Sequence, residues 1–461
     1  MSRLKTVSFS SSTTWVAPAG VTRVLVQMGY PNTDSGYKAS IYKDIAVGGS
    51  NAFGLRTSDG SAWAWGSGTN GVLGQNTNVT NSSSPVSVVG GISFSSLIAS
   101  GSTVNLLGGG IQGSDGSAWM WGTGTFGQLG NNGTVSLSSP VSVLGGISFT
   151  KLVCNTHVLG IRGSDGSIWG WGNNAVGQLG DNTIAQRQSP VSVVGGISFV
   201  DISAGGSHSA GIRGSDGSLW TWGSNTAGQL GNSTITNASS PVSVVGGHSF
   251  VDVSCANNTT FALKADGTLW AWGSNTSFAF ADGGPQVGND RSSPVQVTSN
   301  IAFLPPQVAG DHFSFIDTSG NLVTWGVNTN GALGAGYLVG QSSPISVTGR
   351  SWSKVGVGNL FTIGLSEGLA FGWGSNSVGQ LGNKTLTNAI IPVLTYPIAA
   401  SPSLVSGVGS ERESQKCVLV DVTPGTSYSI SITTAAAGLS YASFSSLVYN
   451  PGSIVTISWN E

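Results

Sequence analysis

The dipeptide Trp-Gly recurs about every 50 residues along this 461-residue chain. The seven tryptophans that open the regularly spaced copies are Trp65, Trp121, Trp171, Trp222, Trp272, Trp325 and Trp373. A repeat of this period is typical of architectures in which one supersecondary unit packs against copies of itself. The sequence therefore predicts seven structural units across residues 41–397.

Each unit contains four short runs of strand-forming residues. In the fourth unit, which begins at Phe199, the runs are DISA, SAGI, LWTW and VSVV, separated by clusters of Gly, Asn and Ser. Runs of this length bounded by turn residues predict strands. Asp216-Gly217 stands between the second and third runs, and a dipeptide ending in glycine occupies this place in all seven units. Because Asp and Gly tolerate left-handed backbone, this dipeptide predicts a hairpin turn.

The arrangement of the units follows from what their side chains must bury. The aromatic residues of Trp-x-Trp lie two apart on a strand, so both are predicted to pack against a neighbouring sheet. Small residues at equivalent places suggest crowding around an axis: Val47, Ala99, Cys154, Ala204, Cys255, Val308 and Val357. A closed ring buries both faces of each sheet and protects its edges. The predicted fold is all-β, a seven-bladed β-propeller of four-stranded blades with the seven tryptophans in its core.

The repeat also carries a resemblance. The pattern DG-x-L/A-W-x-WG-x-N-x-x-GQLG, present from Asp216 to Gly231 and echoed at 165–180 and 115–130, resembles the repeat of the regulator of chromosome condensation family. The resemblance implies the propeller fold rather than one function. Members of the family serve as nucleotide exchange factors, ultraviolet receptors and, in a bacterial inhibitor of beta-lactamases, protein-binding discs.

The two chain ends lie outside the repeats, at residues 1–40 and 398–461. The stretches FSSSTTWVAPAGVTRVLVQMGY and VLVDVTPGTSYSISI resemble the two halves of a glycine-rich β domain that is widespread in phage tail and fibre proteins. The resemblance implies one small, discontinuous β domain for attachment, with the propeller at 41–397 inserted into it. Insertion at a surface loop is tolerated when entry and exit lie close together.

Composition argues against several partners. The chain has a formal net charge of −2 and only 8% charged residues, so it lacks the basic surface that binds phosphates or anionic lipids. No apolar run approaches the about 18 residues of a membrane span. We therefore expect no nucleic-acid partner and no membrane insertion.

Catalysis is not expected either, because the titratable residues do not cluster along the sequence. The four histidines, which show no metal-ligand spacing, are His157, His208, His248 and His312. His157 and His208 each lie nine residues before a turn glycine, which predicts a repeated structural hydrogen bond. The expectation is a protein without catalytic residues, cofactor or metal, in which Cys154, Cys255 and Cys417 are free thiols.

Two departures from the repeat indicate a recognition surface. The second unit is longer near Gly101 to Gly110, between its first and second strands, and the fifth unit replaces GQLG by residues 278–281, FAFA, between its third and fourth strands. In an up-and-down blade both connections lie on the same face of the disc. The candidate ligand contacts on this face are Phe278, Asp282, Gln286, Asp290, Arg291 and Asn105.

The expected function is a non-enzymatic bacteriophage virion protein of the tail or a fibre. Its terminal β domain would bind other virion proteins, and its propeller loops would bind a host-surface glycan or protein. The alternative is a bacterial extracellular propeller that binds another protein as an inhibitor or scaffold, with a nucleotide exchange factor third. An uncharged surface rich in Asn, Ser, Thr and Gly suits contacts with carbohydrate or polar protein.

Overall fold

The structure is a computed structural model of the chain. The structure describes residues 41–77, 81–281, 289–305, 310–347 and 349–395, together with the backbone of six strands in the two chain ends. The chain divides into two compact units, one made of Ser40–Tyr396 and the other of Met1–Ala39 with Pro397–Glu461. None of the described helices is long and apolar enough to cross a membrane.

Strands from both chain ends pair with each other in the smaller unit. The strands are β1 (Leu4–Phe9), β2 (Thr13–Val16), β3 (Arg23–Gly29), β32 (Lys416–Asp421), β33 (Ser427–Ile430) and β34 (Ile454–Asn460). They form a four-stranded sheet in the order β1-β34-β3-β32 and a two-stranded sheet of β2 and β33. Each pairing is antiparallel and joins an N-terminal to a C-terminal strand.

The larger unit contains seven sheets, each built from four strands that are consecutive in the chain. Blade 1 consists of β4 (Tyr42–Val47), β5 (Asn51–Arg56), β6 (Ala62–Ser67) and β7 (Asn81–Ser87), and blade 2 consists of β8 (Phe94–Ala99), β9 (Leu107–Gln112), β10 (Ala118–Gly122) and β11 (Leu137–Ser142). Blade 3 consists of β12 (Phe149–Cys154), β13 (His157–Arg162), β14 (Ile168–Gly172) and β15 (Arg187–Ser192), and blade 4 consists of β16 (Phe199–Ala204), β17 (His208–Arg213), β18 (Leu219–Gly223) and β19 (Ala238–Ser243). Blade 5 consists of β20 (Asp252–Cys255), β21 (Thr259–Leu263), β22 (Leu269–Gly273) and β23 (Arg291–Thr298). Blade 6 consists of β24 (Ile301–Phe303), β25 (His312–Asp317), β26 (Leu322–Gly326) and β27 (Gln341–Val347). Blade 7 consists of β28 (Lys354–Val357), β29 (Phe361–Ser366), β30 (Leu369–Gly374) and β31 (Ala389–Leu394). The predicted fold class, an all-β propeller with seven four-stranded blades, is confirmed.

The ring closes through direct contacts between blades 7 and 1. The Tyr42 N–H donates to the Gly368 carbonyl at 3.0 Å, and the Asn359 N–H donates to the Gly49 carbonyl at 3.0 Å. The Lys354 ammonium lies 2.6 Å from the Asp44 carboxylate. Each blade therefore packs between two neighbours, as the sequence pattern predicts.

The outer strand of each blade differs from the sequence prediction. In blade 4 the fourth strand is Ala238–Ser243, so the apolar run VSVV lies only partly within it. The register between β18 and β19 shifts between Thr221 and Gly223, and the extra residues of β19 include Pro241. Proline has no N–H to donate, so it is tolerated at such an irregularity on an edge strand.

The turns between the second and third strands differ among the blades, as blades 4 and 7 illustrate. In blade 4 only Gly217 is left-handed (φ +72°), while Asp216 accepts the Ser218 N–H at 3.0 Å in a longer turn. Blade 7 has the two-residue hairpin turn, in which Glu367 (φ +52°) and Gly368 (φ +75°) are both left-handed. The hairpin is confirmed, but aspartate acts through its carboxylate rather than through a left-handed backbone.

The tryptophan of the Trp-Gly dipeptide in each unit lies fully buried between blades. All seven have no exposed surface: Trp65, Trp121, Trp171, Trp222, Trp272, Trp325 and Trp373. The Trp222 Nε1–H donates to the Gln178 carbonyl of blade 3 at 2.9 Å, and four other indoles bond to the preceding blade in the same way. The first tryptophan of Trp-x-Trp is only half-buried; Trp220, for example, lies beneath the Arg213 guanidinium. Trp220 nevertheless packs against the core cluster of blades 3 and 4 that contains Trp222, so the prediction that both aromatics pack against a neighbouring sheet is confirmed, with the first one less deeply buried.

Histidines connect neighbouring blades, as predicted for His157 and His208. His208 Nε2 lies 3.0 Å from the Thr260 hydroxyl, and that hydroxyl donates its only hydrogen to the Gln229 carbonyl, so the imidazole N–H is the donor. His157 bonds to Ser209 at 2.8 Å in the same manner. Burial lowers the pKa of His157 to about 3 and that of His208 to about 4, so both are neutral at pH 7.

The cysteine prediction holds where side chains are described. Cys154 and Cys255 are buried free thiols, and burial raises the pKa of both. The side chain of Cys417 lies outside the described residues. Of the small residues predicted around the axis, six are buried, and Val308 lies outside the described residues.

Candidate ligand-binding site

The loop between the third and fourth strands is built around a buried asparagine. In blade 4, Asn225 Oδ1 accepts the Leu230 N–H at 2.9 Å, and its Nδ2 donates to the carbonyls of Thr234 and Thr236 at 3.0 and 3.1 Å. Asn376 of blade 7 makes the equivalent contacts. This asparagine fixes the loop on the face where the first-to-second turns also lie.

A buried glutamine then fills the gap between this loop and the next blade. Gln229 Oε1 accepts the Ala227 N–H at 2.9 Å, and its Nε2 lies 3.3 Å from Ser224 Oγ and 3.4 Å from Asn258 Oδ1 of blade 5. The same N–H contact recurs in blades 2, 3 and 7 with Gln128, Gln178 and Gln380. The glutamine carboxamide thus satisfies a loop N–H that the fold leaves without a backbone partner.

Blade 5 keeps this backbone with a different sequence. Phe278 and Ala281 replace the two glycines of GQLG and remain left-handed, with φ +62° and +50°. Phe280 takes the leucine position and is buried, whereas Phe278 is half-buried. Non-glycine residues in this region cost roughly 1–2 kcal/mol each, so the loop geometry is maintained against local strain.

The glutamine position of blade 5 is Ala279, and a cavity of about 170 Å³ opens beside it. Its lining comes from blades 5 and 6: Ala256, Asn257, Asn258, Thr259, Ser274, Thr276, Ser277, Ala279, Gly310, Asp311 and Phe313. Among the described residues, no acceptor bonds to the Ser277 N–H, which corresponds to the Ala227 N–H of blade 4. Asp311 is exposed and occupies the position of Asn258. The cavity is therefore polar and open, and it lacks the side-chain amide that fills the equivalent space in blade 4.

Aromatic side chains support the cavity from the core. Phe313 packs 5.1 Å from Phe261 and 5.8 Å from Trp325 between ring centroids. Phe315 lies 5.1 Å from Trp325. Because these rings occupy the interface between blades 5 and 6, the cavity has a rigid apolar floor.

The residues predicted from sequence in blade 5 surround this loop with mixed roles. The Asp290 carboxylate accepts the Asn275 N–H at 3.1 Å, as Asn237 does for Asn225, so Asp290 also closes the loop. Arg291 begins β23 and donates to the Asn289 carbonyl at 3.2 Å. Asp282 and Gln286 lie outside the described residues. That these residues contact a ligand stays a prediction.

The predicted insertion in blade 2 lies on the same face. The connection between β8 and β9 covers residues 100–106, while Gly108 to Gly110 belong to β9, so the insertion is shorter than the sequence suggested. Asn105 is half-buried and donates its N–H to Ser102 Oγ at 3.0 Å, whereas Val104 is 72% exposed. A ligand contact by Asn105 also stays a prediction.

Charged side chains occur along the inner strands at the axis. Lys151 pairs with Asp201 of the next blade, and Asp201 Oδ2 accepts the Val253 N–H of blade 5 at 3.3 Å. Burial and the neighbouring Asp201 carboxylate raise the pKa of Asp252 well above its usual range. A second cavity of about 170 Å³, lined mainly by apolar residues of blades 1, 2, 3 and 7, has Asp44 and Lys151 in its wall. Within the described part of the chain, no group of three or more His, Cys, Asp or Glu residues is arranged to hold a metal ion.

Comparison with known families identifies the repeat. Residues 59–107, 115–157, 165–212 and 216–263 match the Regulator of chromosome condensation (RCC1) repeat, and a second model of this repeat matches 199–229 and 250–278. The chain therefore carries RCC1 repeats within a seven-bladed propeller. The units beyond residue 278 have the same four-stranded topology.

Curated relatives share the repeat over part of their length. The chain is 31% identical to human E3 ubiquitin-protein ligase HERC2 over 247 residues, which covers 51% of this chain and 5% of HERC2. It is 28% identical to the Ultraviolet-B receptor UVR8 of Arabidopsis thaliana over 203 residues, covering 41% of this chain and 44% of UVR8. The chain thus spans less than half the length of these relatives.

Solved structures show the same fold. Prp20p from Saccharomyces cerevisiae superposes with a TM-score of 0.62 at 16% identity, covering 78% of this chain and 88% of Prp20p. Human WBSCR16 superposes with a TM-score of 0.60 at 18% identity, covering 81% of this chain and 94% of WBSCR16. At these identities the similarity extends to the fold alone.

Proposed function

We propose that this chain is a non-enzymatic recognition protein of a bacteriophage virion, located in the tail or a fibre. The observation that carries the binding role is the open polar cavity between blades 5 and 6. Equivalent places in blades 2, 3, 4 and 7 hold a buried glutamine, whereas blade 1 has Val72 and blade 6 has Ala332 there. A departure of this kind on the loop face of a rigid ring is a suitable place for a ligand.

The virion assignment rests on the chain ends. Their sequences resemble a β domain of phage tail and fibre proteins, and strands from both ends pair in one unit. In this proposal the terminal β domain binds other virion proteins, and the propeller loops bind a host-surface glycan or protein. The low charge of the chain suits a ligand that is recognised by hydrogen bonds.

A loop exchange tests the binding role. Replacing residues 274–290 by residues 224–237 restores the regular blade 4 loop in blade 5, and we expect adsorption to host cells to be lost. The matched control replaces residues 173–186 by the same blade 4 loop, which exchanges one regular loop for another and should preserve adsorption. Unchanged adsorption of the blade 5 exchange, with both proteins folded, would contradict the proposal.

The second candidate is a bacterial extracellular propeller that binds another protein as an inhibitor or scaffold. It is supported by the fold similarity to Prp20p, whose structure is described together with binding to Gsp1p and histones. Electron microscopy of phage particles with an antibody against this chain separates the two candidates. Label on the tail or fibres supports the virion protein, and particles without label support the second candidate.

A further inference from the structure

Blade 4 shows which chemical group fits the space that is open between blades 5 and 6. In blade 4 the corresponding space is filled by the Gln229 carboxamide, which is completely buried. Its oxygen accepts one loop N–H, and its nitrogen faces a serine hydroxyl and a side-chain oxygen of the next blade. The shape and polarity of the site therefore match a planar amide.

Blade 5 retains the groups that surround this amide. The Ser277 N–H takes the place of the donor, Ser274 that of Ser224, and Asp311 that of Asn258. Only the glutamine is absent, because Ala279 ends at its β-carbon. A sheltered N–H without a protein acceptor is costly to desolvate unless water or a ligand satisfies it.

We propose that this cavity binds the acetamido group of a neutral N-acetylated sugar; this inference rests on the proposed recognition function and names its ligand. The acetamido carbonyl accepts the Ser277 N–H, and its N–H donates to Ser274 Oγ or the Asp311 carboxylate. The methyl group packs on Ala256 and Phe313. These contacts reproduce those of the glutamine carboxamide and add an apolar one.

The surroundings favour a sugar over other carriers of an amide. Asn257, Asn258 and Thr276 contribute further hydrogen-bonding groups to the lining, which suit sugar hydroxyls. A cavity of about 170 Å³ is large enough for an acetamido group, and because it is open to solvent the sugar ring can extend from it. The Asp311 carboxylate repels acidic ligands, which favours neutral sugars such as N-acetylglucosamine.

The test is a binding titration of the full chain with N-acetylglucosamine and, as the matched probe, glucose, followed by protein-observed NMR or calorimetry. We expect binding of N-acetylglucosamine but not of glucose. Ala279→Gln, which supplies the chain's own amide, should weaken binding at least ~10-fold. Ala332→Gln, the same substitution in blade 6, should leave binding unchanged. Asp311→Ala alters an exposed residue and provides a second variant that should also weaken binding.

Three results would overturn the proposal. They are equal binding of glucose, undiminished binding by both Ala279→Gln and Asp311→Ala, and binding of a glutamine-containing peptide in place of the sugar. The adsorption assay of the loop exchange is independent of this titration. Loss of adsorption without sugar binding refutes the ligand alone, and sugar binding without an effect on adsorption refutes the proposed function alone.

Discussion

Two neighbouring interfaces of the propeller are stabilised by different contacts: the interface between blades 4 and 5, and the interface between blades 5 and 6. The first is connected by hydrogen bonds, from His208 to Thr260 and from Trp272 to the Gln229 carbonyl. At the second interface the position of His208 is taken by Thr259. The Thr259 hydroxyl donates within its own blade, to the Ser274 carbonyl at 2.7 Å, and so does not connect the two blades. The second interface is filled instead by phenylalanine rings around Trp325.

The difference shows that the propeller can lose the histidine and indole hydrogen bonds at one interface without changing backbone geometry. Other polar connections remain there: the Leu304 N–H donates to the Asp252 carboxylate at 3.3 Å, and the Ile301 N–H donates to the Gly267 carbonyl at 3.0 Å. The left-handed positions of GQLG are retained by Phe278 and Ala281. Aromatic burial supplies the packing energy that the hydrogen bonds supply elsewhere. The polar space above the rings then holds no side chain that the fold requires, so a ligand can occupy it.

Removing the central tryptophan of each interface should have the largest effect. Trp272→Ala and Trp325→Ala should each lower the free energy of unfolding by about 3–5 kcal/mol, because both side chains are fully buried. Trp272→Phe should cost about 1 kcal/mol more than Trp325→Phe, since only Trp272 donates a hydrogen bond and Trp325 Nε1 has no partner. Chemical denaturation measures all four. Equal costs for the two phenylalanine variants would contradict the contrast.

The histidine connection makes the interface between blades 4 and 5 sensitive to acid. Because burial lowers the pKa of folded His208 to about 4, the unfolded state takes up a proton first as the pH falls below about 6.5. Stability is therefore present above pH 6.5 and is lost towards pH 4, at up to about 1.4 kcal/mol per pH unit. His208→Thr, which installs the blade 5 residue, should reduce this slope between pH 6.5 and 5. An unchanged slope would show that His208 is not buried as described.

Asp252 should have the opposite pH dependence. Its folded pKa is raised by burial and by Asp201, so its contribution to stability is fully present below about pH 4 and is lost as the pH rises through the folded pKa. Asp252→Asn should therefore stabilise the protein at pH 8 and have little effect at pH 4. Thermal unfolding at the two pH values measures this, and a stabilisation that is equal at both would refute the carboxyl interaction.

The left-handed residues of blade 5 should give the smallest effect. Ala281→Gly should raise the free energy of unfolding by up to about 1 kcal/mol, because glycine adopts φ +50° without strain. The reverse change in blade 4, Gly231→Ala, should destabilise, since its β-carbon would lie 2.6 Å from Trp272 Nε1. Urea denaturation compares the pair, and stabilisation by Gly231→Ala would contradict the strain argument.

The sequence predicts the ring because its signals are local and repeated. Trp222 and the turn glycine Gly217 specify a strand and a hairpin in each unit, and seven copies specify closure. The outer strand is predicted less well because it is the least buried, so the apolar run VSVV is a poor guide to its boundaries. Pro241 shifts the register there in a way that hydrophobic pattern does not show.

The candidate site is only partly predictable for a different reason. The replacement of GQLG at 278–281 identifies blade 5 as the candidate in the sequence. The most obvious feature of that replacement is the added phenylalanines, which are not the residues that open the cavity. The decisive change is a missing side chain at Ala279, and its former partners come from separate parts of the chain, Ser274 before it and Asp311 in the next blade. The repeat alignment shows alanine in place of glutamine, but only the three-dimensional comparison of blades 4 and 5 shows which groups this leaves without their amide partner.

Transfer of the cavity to blade 4 tests the central claim most directly. Gln229→Ala reproduces, beside Ser224 and the Ala227 N–H, the open space found at Ala279. Asn258 is kept, because its side-chain oxygen takes the place of Asp311 and it also lines the cavity between blades 5 and 6. The measurement is the number of N-acetylglucosamine molecules bound per chain at saturation, with the original protein as the reference. The account predicts one site in the original protein and two in the Gln229→Ala variant. A folded Gln229→Ala variant that still binds one molecule would contradict the claim that removing the glutamine from beside the serine and the loop N–H creates the site.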